Sequence, residues 1–300
     1  MFNPLQHRIN IDALRKYAQK NFPTLCQPRP HDAHKGTCGT VCVVGGAKGM
    51  VGAAFLAADA ALQTGCGKVL VGLNQNPNPV PFFPTRPELM VDYAVDVLKT
   101  HHQIVDTWVV GCGLSRNETA GQLLKAIWNS STPQLVLDAD ALHLLVDISK
   151  QLNPTKRADL VLTPHPAEAA HLLDTGVTQV EANRSWAARE LASRYRAWVV
   201  LKGHETVISS ARGALQVNET GNAGLATAGS GDVLSGIIGS LLAQGLEAEE
   251  AVPAAVWLHG AAADILAQMQ IGPIGLMAGE LAQAVRWLHN QLASTPSMTL

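Results

Sequence analysis

The chain has 300 residues, 47% of them hydrophobic and 5% aromatic, and its 22 basic and 24 acidic side chains leave a formal charge of −2. A balance this close to neutral argues against a nucleic-acid or membrane-surface protein, and a polyanionic ligand would be held by backbone N–H groups more than by Lys and Arg. No signal peptide or apolar run of membrane length is visible, and five cysteines without a C-x-x-C pair read as reduced, mostly buried thiols of a cytoplasmic protein.

In chain order, Ile11 to Lys20 predicts a short helix within a peripheral N-terminal extension, residues 1–30. Strands are predicted at Thr40–Gly45, Lys68–Leu73, Trp108–Gly113, Gln134–Asp138, Asp159–Thr163 and Trp198–Lys202. Helical patterns fall at Val51–Leu62, Glu118–Trp128, Ala139–Val146, Ala167–Leu173 and, as one longer helix, Val180–Tyr195. Asn74 to Pro87 is rich in Asn and Pro and reads as loop. Glu205–Ser209 and Ala214–Val217 suggest a hairpin, and three helices follow near 232–243, 250–268 and 278–292. This alternation predicts a three-layer α/β/α fold with a mostly parallel central sheet and antiparallel strands late. Residues 31–292 read as one domain and 293–300 as a tail.

The polar and glycine punctuation sits at the C-terminal ends of the strands: Gly45-Gly46, Gly111-Cys-Gly113, Asp138 with Asp140, Thr163-Pro-His-Pro166 and Lys202-Gly203. Open parallel sheets bind ligands there, so these segments are expected to converge on one cleft. The most informative stretch, Asn222 to Asp232 (NAGLATAGSGD), belongs to it. Glycines Gly224, Gly229 and Gly231 precede a helix whose free N–H groups would face an anion, with Ser230 among them and Asp232 beside them. A carboxylate there is either an ordinary N-cap or a base that removes a proton from an attacking hydroxyl, and the clustered glycines favour the base. Gly239, deeper in the same helix, is expected to accept alanine. Val44-Gly-Gly-Ala-Lys-Gly49 is not the G-x-G-x-x-G of a dinucleotide dehydrogenase.

Several segments carry a family resemblance when taken in order. KGTCGTVCVVGGAKGMVGAAFLAADAALQTGCGKVLVG, RPELMV, VVGCGL, LVLDADAL, LTPHPAEAAHLL, VVLKGHETVI and NAGLATAGSGDVLSGIIGSLLAQG together resemble the ADP-dependent NAD(P)H-hydrate dehydratases of the YjeF C-terminal domain type. That family lies within the ribokinase-like superfamily, and the resemblance runs from about Lys35 to about Asn290. GSGD is shared with ribokinase-like kinases, whereas TPHPAE together with KGHET is more specific. The chain departs from the family's frequent GPGLG at Gly111-Cys-Gly-Leu-Ser115, where Cys112 is expected to loosen the turn.

The resemblance implies repair of NADH or NADPH hydrated on its nicotinamide ring. The ring hydroxyl of the S-epimer is phosphorylated at the expense of ADP, or of ATP, and phosphate then leaves, so that ADP yields AMP and phosphate. Asp232 is the implied base, and Gly229, Ser230 and Gly231 the anion hole. Lys202, Gly203, His204, Glu205 and Thr206, with Gly231, are implied to bind the nucleotide. Ala53, Ala54, Gly111, Gly113 and His165, with Asp232, match the substrate side. Mg2+ would arrive with the nucleotide, since no dedicated metal cage is visible; Asp138 and Asp140 either approach a metal through water or cap a helix. Lys48 reads as a solvated loop lysine, and His34, His143, His171, His259 and His289 as surface or packing residues. The family further implies a homotetramer and an NAD(P)H-hydrate epimerase on another chain. The rival readings are an ATP-dependent vitamin-type kinase with the same base, and a nucleotide sensor without catalysis.

Overall fold

The structure is a computed structural model that describes residues 9–132, 134–149 and 159–294. Residues 1–8 of the expected N-terminal extension and 295–300 of the expected tail lie outside the described residues. Nine strands form one sheet among the described residues: β1 (Thr40–Gly45), β2 (Lys68–Leu73), β3 (Met90–Tyr93), β4 (Thr107–Val110), β5 (Gln134–Leu137), β6 (Asp159–Leu162), β7 (Trp198–Leu201), β8 (Thr206–Ser210) and β9 (Leu215–Asn218). Their spatial order is β3-β2-β1-β4-β5-β6-β7-β8-β9. The first seven are mutually parallel, and β8 and β9 add an antiparallel hairpin to β7.

The helices are α1 (Ile11–Asn21), α2 (Val51–Thr64), α3 (Ala94–His101), α4 (Glu118–Trp128), α5 (Asp140–Ile148), α6 (Pro166–Leu173), α7 (Val177–Ala182), α8 (Arg184–Tyr195), α9 (Ser230–Ala243), α10 (Ala248–Gln268) and α11 (Ala278–Ala293). Their apolar residues divide between two cores, one on each face of the sheet. Val41 and Val43 of β1 join α2, α9, α10 and α11, while Cys42 and Val44 join α3 to α6 and α8. The period-2 side-chain alternation of a strand buried on both faces produces this division. All five cysteines are free thiols.

Three expectations differ. β3 and α3 were hidden because Met90–Tyr93 is a four-residue edge strand running straight into the helix, with no turn residues between them. The predicted helix Val180–Tyr195 is two helices broken at Asn183, whose side chain accepts a hydrogen bond from Trp186 N and starts α8. Gly239 does not offer room for alanine: a Cβ there would lie 2.4 Å from Val109 Cγ2, because α9 packs against β4 at that point. Gly236 is tighter still against α2, with a Cβ position 2.1 Å from Ala57 O. Glycines on this face let α9 lie close to both layers, and that fixes the direction in which its N-terminus aims. α1 packs on α11, and Tyr17 stacks on Trp257 at 5.5 Å between ring centroids. Among the described residues no helix is long and apolar enough to cross a membrane.

Candidate active site

The strand order reverses direction between β1 and β4, the place where an open α/β sheet leaves a crevice. The loops after these strands are joined: Gly46 N donates to Cys112 O at 3.0 Å and Ala47 N to Gly113 O at 2.7 Å. Gly111, at φ +124°, could not carry a side chain, since a Cβ would sit 1.8 Å from Asp138 O. Gly113 is similarly closed by Met50 and Ala53. Ala53 is partly exposed beside this turn, whereas Ala54 is fully buried. α2 turns the Ala54 side chain toward the core.

The glycine-rich stretch ends as the sequence suggests. Gly229 takes the N-cap position of α9 with φ +89°, a left-handed conformation that glycine adopts freely. Asp232 stands in the first turn and is not the cap. The approach is anchored from α10, where Asp264 accepts from Gly221 N at 2.8 Å and from Asn222 Nδ2 at 2.9 Å. His259, also on α10, is buried with Nε2 3.3 Å from Ser230 Oγ, and burial lowers its pKa to about 4, so the ring is neutral. Neither Asp264 nor His259 was legible as a site residue; each is a lone polar side chain in a long alanine-rich helix.

Beneath α9 lies a connected set of charges. Asp138, at the end of β5, is 1% exposed. It accepts from Lys202 Nζ at 2.6 Å, Ser235 Oγ at 2.8 Å and Ala139 N at 2.9 Å. Burial pushes its carboxyl up, but the Lys202 ammonium and the hydroxyl donors outweigh this and hold it below the usual carboxylate range. Lys202 feels the mirror image, lowered by burial and raised overall by Asp138 and Glu168. Glu168 is 3.8 Å from the same ammonium, and its other bonds run to His165. Asp138 is thus a partner for Lys202, not a helix cap. Asp140 accepts from Ser115 N and Arg116.

Asp232 stands at one end of this set. Burial, then the nearby negative charge of Asp138, raise its pKa from 3.8 to about 7, while the Cys112 thiol and Lys202 pull in the opposite direction. Cys112 is 0% exposed, and burial followed by the charges of Asp232 and Asp138 keeps it a thiol. The residue expected to loosen a turn is thus a buried thiol beside the candidate base. The Cys112 sulfur and oxygens of Asp138 and Asp232 lie within 4.8 Å of one another, but Lys202 already supplies the positive charge there. A buried thiol and a lysine-paired carboxylate are a poor donor set for Mg2+, which takes hard oxygen ligands in a near-octahedral shell.

Beside Lys202 opens a cavity of about 780 Å³, lined by Lys202 to Thr206, Asn218 to Ala223, Ser230, Gly231 and His259, with His165 also on its wall; Asp138, Cys112 and Asp232 are not among its lining residues. Its size suits a small-molecule ligand. The structure thus brings the 202–206 segment, His165 and the start of α9 together, as expected. Ala53, Gly111 and Gly113 fall outside this cavity, on the β1/β4 side of α9. His165 is not simply a loop residue: its Nδ1 accepts from Ala167 N and Glu168 N and caps α6. Lys48 is exposed. His143 and His171 pack together at 4.6 Å between ring centroids, away from the cavity lining.

Three known proteins resemble this chain across its length. An ADP-dependent (S)-NAD(P)H-hydrate dehydratase from Neisseria meningitidis is 50% identical over 276 residues, 91% of this chain and 93% of that protein. A bifunctional NAD(P)H-hydrate repair enzyme from Escherichia coli is 39% identical over 278 residues, and this chain spans 52% of its length. The crystal structure of a Bacillus subtilis ADP/ATP-dependent NAD(P)H-hydrate dehydratase, co-crystallised with ATP and Mg2+, superposes with a TM-score of 0.80 at 30% identity, covering 93% of this chain and 97% of that one. The fold is the ribokinase-like one expected from the sequence. The profile described as NAD(P)H-hydrate dehydratase matches residues 41–285, and the chain belongs to that family of hydro-lyase enzymes.

Proposed function

We propose that the protein restores NADH and NADPH from the S-epimers of their hydrates in an ADP-dependent dehydration. The observation that carries this reading is Asp232, a carboxyl with a pKa of about 7 in the first turn of α9, where helix N–H groups favour a transferring phosphate. Hydroxide is a poor leaving group and phosphate a good one. Asp232 takes the proton of the substrate's ring hydroxyl as that oxygen bonds to the terminal phosphorus of ADP and AMP departs. The N–H groups around Gly229, Ser230 and Gly231 hold the charge that spreads over the phosphoryl oxygens. The ring nitrogen's electron pair then expels phosphate, and loss of a ring proton restores the double bond. The sum is hydrated dinucleotide plus ADP giving dinucleotide, AMP and phosphate.

Residues Lys202 to Thr206, with Gly231, hold the nucleotide, while Ala53, Ala54, Gly111, Gly113, His165 and Asp232 lie on the side of the dinucleotide. Lys202 acts through Asp138 and Glu168, since its ammonium is engaged with them. Mg2+ would arrive with the nucleotide, held by its phosphates and by water. ATP is a second possible phosphoryl donor. The protein works in the cytoplasm as a homotetramer built on a catalytic domain spanning residues 31–292, and its substrate is supplied by an epimerase on another chain. Relatives named bifunctional NAD(P)H-hydrate repair enzymes support a pairing with a second repair activity.

Incubation with hydrated NADH and ADP or ATP tests the reading. Return of the reduced nicotinamide absorbance with stoichiometric phosphate is expected; a stable phosphorylated product would establish the vitamin-type kinase instead.

A further inference from the structure

Arg184 opens α8 and reaches the back of the 202–206 segment. Its Nη2 donates to Leu201 O at 2.9 Å, and its Nη1 to Glu205 O at 3.2 Å and also to His204 O. Gly203 O, in the same bend, accepts from Thr206 Oγ1 at 3.0 Å. Two residues here have positive φ: Gly203 at +146° and Glu205 at +54°. For a glutamate this is a sparsely populated conformation that persists only where the surroundings impose it. A Cβ on Gly203 would lie 2.9 Å from Arg184 Nη2, so the loop wraps onto the guanidinium with no space between. Gly203 to Thr206 line the cavity, and Arg184 is not among the lining residues. Among the described residues Arg184 Nε is buried without a hydrogen-bond partner, so Nη1 and Nη2 carry the contacts to the loop.

A trans peptide points its N–H opposite to its C=O. With the carbonyl of His204 drawn back onto Arg184, the N–H of Glu205 is turned to the other side of the loop, while Thr206 pairs with Asn218 across β8 and β9. We propose that Arg184 is a positioning residue that shapes this loop from behind into a backbone concavity for the phosphates of the nucleotide, without touching the nucleotide itself. A bend that turns a backbone N–H away from its anchored carbonyl offers a donor to an anion. A guanidinium suits the task because its planar fork reaches three carbonyls in fixed directions; a lysine ammonium carries the same charge on a flexible stem and has no such fork. The ligand assignment rests on the proposed function, while the shaping of the loop does not.

The test compares Arg184→Lys and Arg184→Met with the unsubstituted protein. Its readouts are calorimetric ADP titration, steady-state kinetics, and amide hydrogen exchange at 203–206. Melting curves establish the folded fraction, and Lys keeps the charge and most of the stem should Met fail to fold. Faster exchange at 203–206 is expected in both variants, with ADP binding weakened by about ten-fold or more. The KM for hydrated NADH and kcat at saturating ADP should stay within about two-fold. Unchanged exchange, full rescue by lysine, or an equal loss of both ligands overturns the proposal. An unsubstituted protein that binds no ADP would instead remove the nucleotide reading, and the exchange data would still decide whether Arg184 shapes the loop.

Discussion

Lys202 Nζ lies 2.6 Å from Asp138 Oδ1, joining the ends of two strands that are 64 residues apart in the chain. Gly231 makes the neighbouring space available, since a Cβ there would sit 3.3 Å from the same ammonium. The pair is buried directly beneath the first turn of α9, so the charge that sets the electrostatics of Asp232 comes from the sheet and not from the helix that bears it. Taking both ions from water is costly, and removing one partner is worse than removing both, because the survivor is left buried and uncompensated.

Lys202→Met should therefore destabilise the fold by about 3 kcal/mol. Lys202→Met/Asp138→Asn should be more stable than Lys202→Met alone. Urea denaturation of the three proteins at one pH checks the order. A single variant as stable as the parent would mean that Ser235 and the Ala139 amide satisfy Asp138 without help.

Asp232→Asn should lose activity by ~10²–10⁴-fold while binding ADP normally. It should also change stability in a pH-dependent way. The fold raises the pKa of Asp232 from 3.8 to about 7, so between those values the folded state keeps a proton that the unfolded state has released. Stability contributed below pH 3.8 is then lost as pH rises toward 7. The asparagine variant escapes that loss. Its Tm should exceed that of the parent by several degrees at pH 8 and by little at pH 4. A constant Tm difference across this range would show that Asp232 titrates normally.

The pH dependence of kcat/KM should rise with pH and level off above about 7, following ionisation of Asp232. Asp138→Asn removes a negative neighbour and leaves Lys202 in place, so the midpoint should move to lower pH. Cys112→Ala removes the buried thiol that pulls the pKa of the carboxyl down, so the midpoint should move up. Midpoints measured under saturating ADP decide this; opposite or absent shifts would separate the rate-limiting ionisation from Asp232.

Two glycines of α9 should fail differently. Gly231→Val places a branched side chain against Lys202 at the mouth of the anion site, and activity per folded molecule should fall steeply. Gly239→Ala forces a methyl toward Val109 and should destabilise by ~1–3 kcal/mol while specific activity is kept. Equal specific activities at equal folded fraction would make both glycines purely structural.

The sequence alone determined the repeating strand–helix order, the parallel sheet, and the glycine-rich approach to Asp232. Each is a local pattern, because apolar periodicity, glycine and short-range motif spacing act within a few residues. Helix Glu118–Trp128 is bounded by an Asn117 cap and was legible to the residue for that reason. Tertiary structure alone decided what the polar groups do. Asp138 looked like a helix cap and Cys112 like a loose turn, yet one holds Lys202 and the other faces Asp232. His259, Asp264 and Arg184 reach the site from α10 and α8, elements whose sequence patterns record only packing. Gly239 was misread for a related reason: whether a small residue has room for a methyl group depends on which neighbour the fold lays across it. The near-neutral pKa of Asp232 belongs to that level too, since it arises from burial and from a carboxylate 94 positions earlier in the chain.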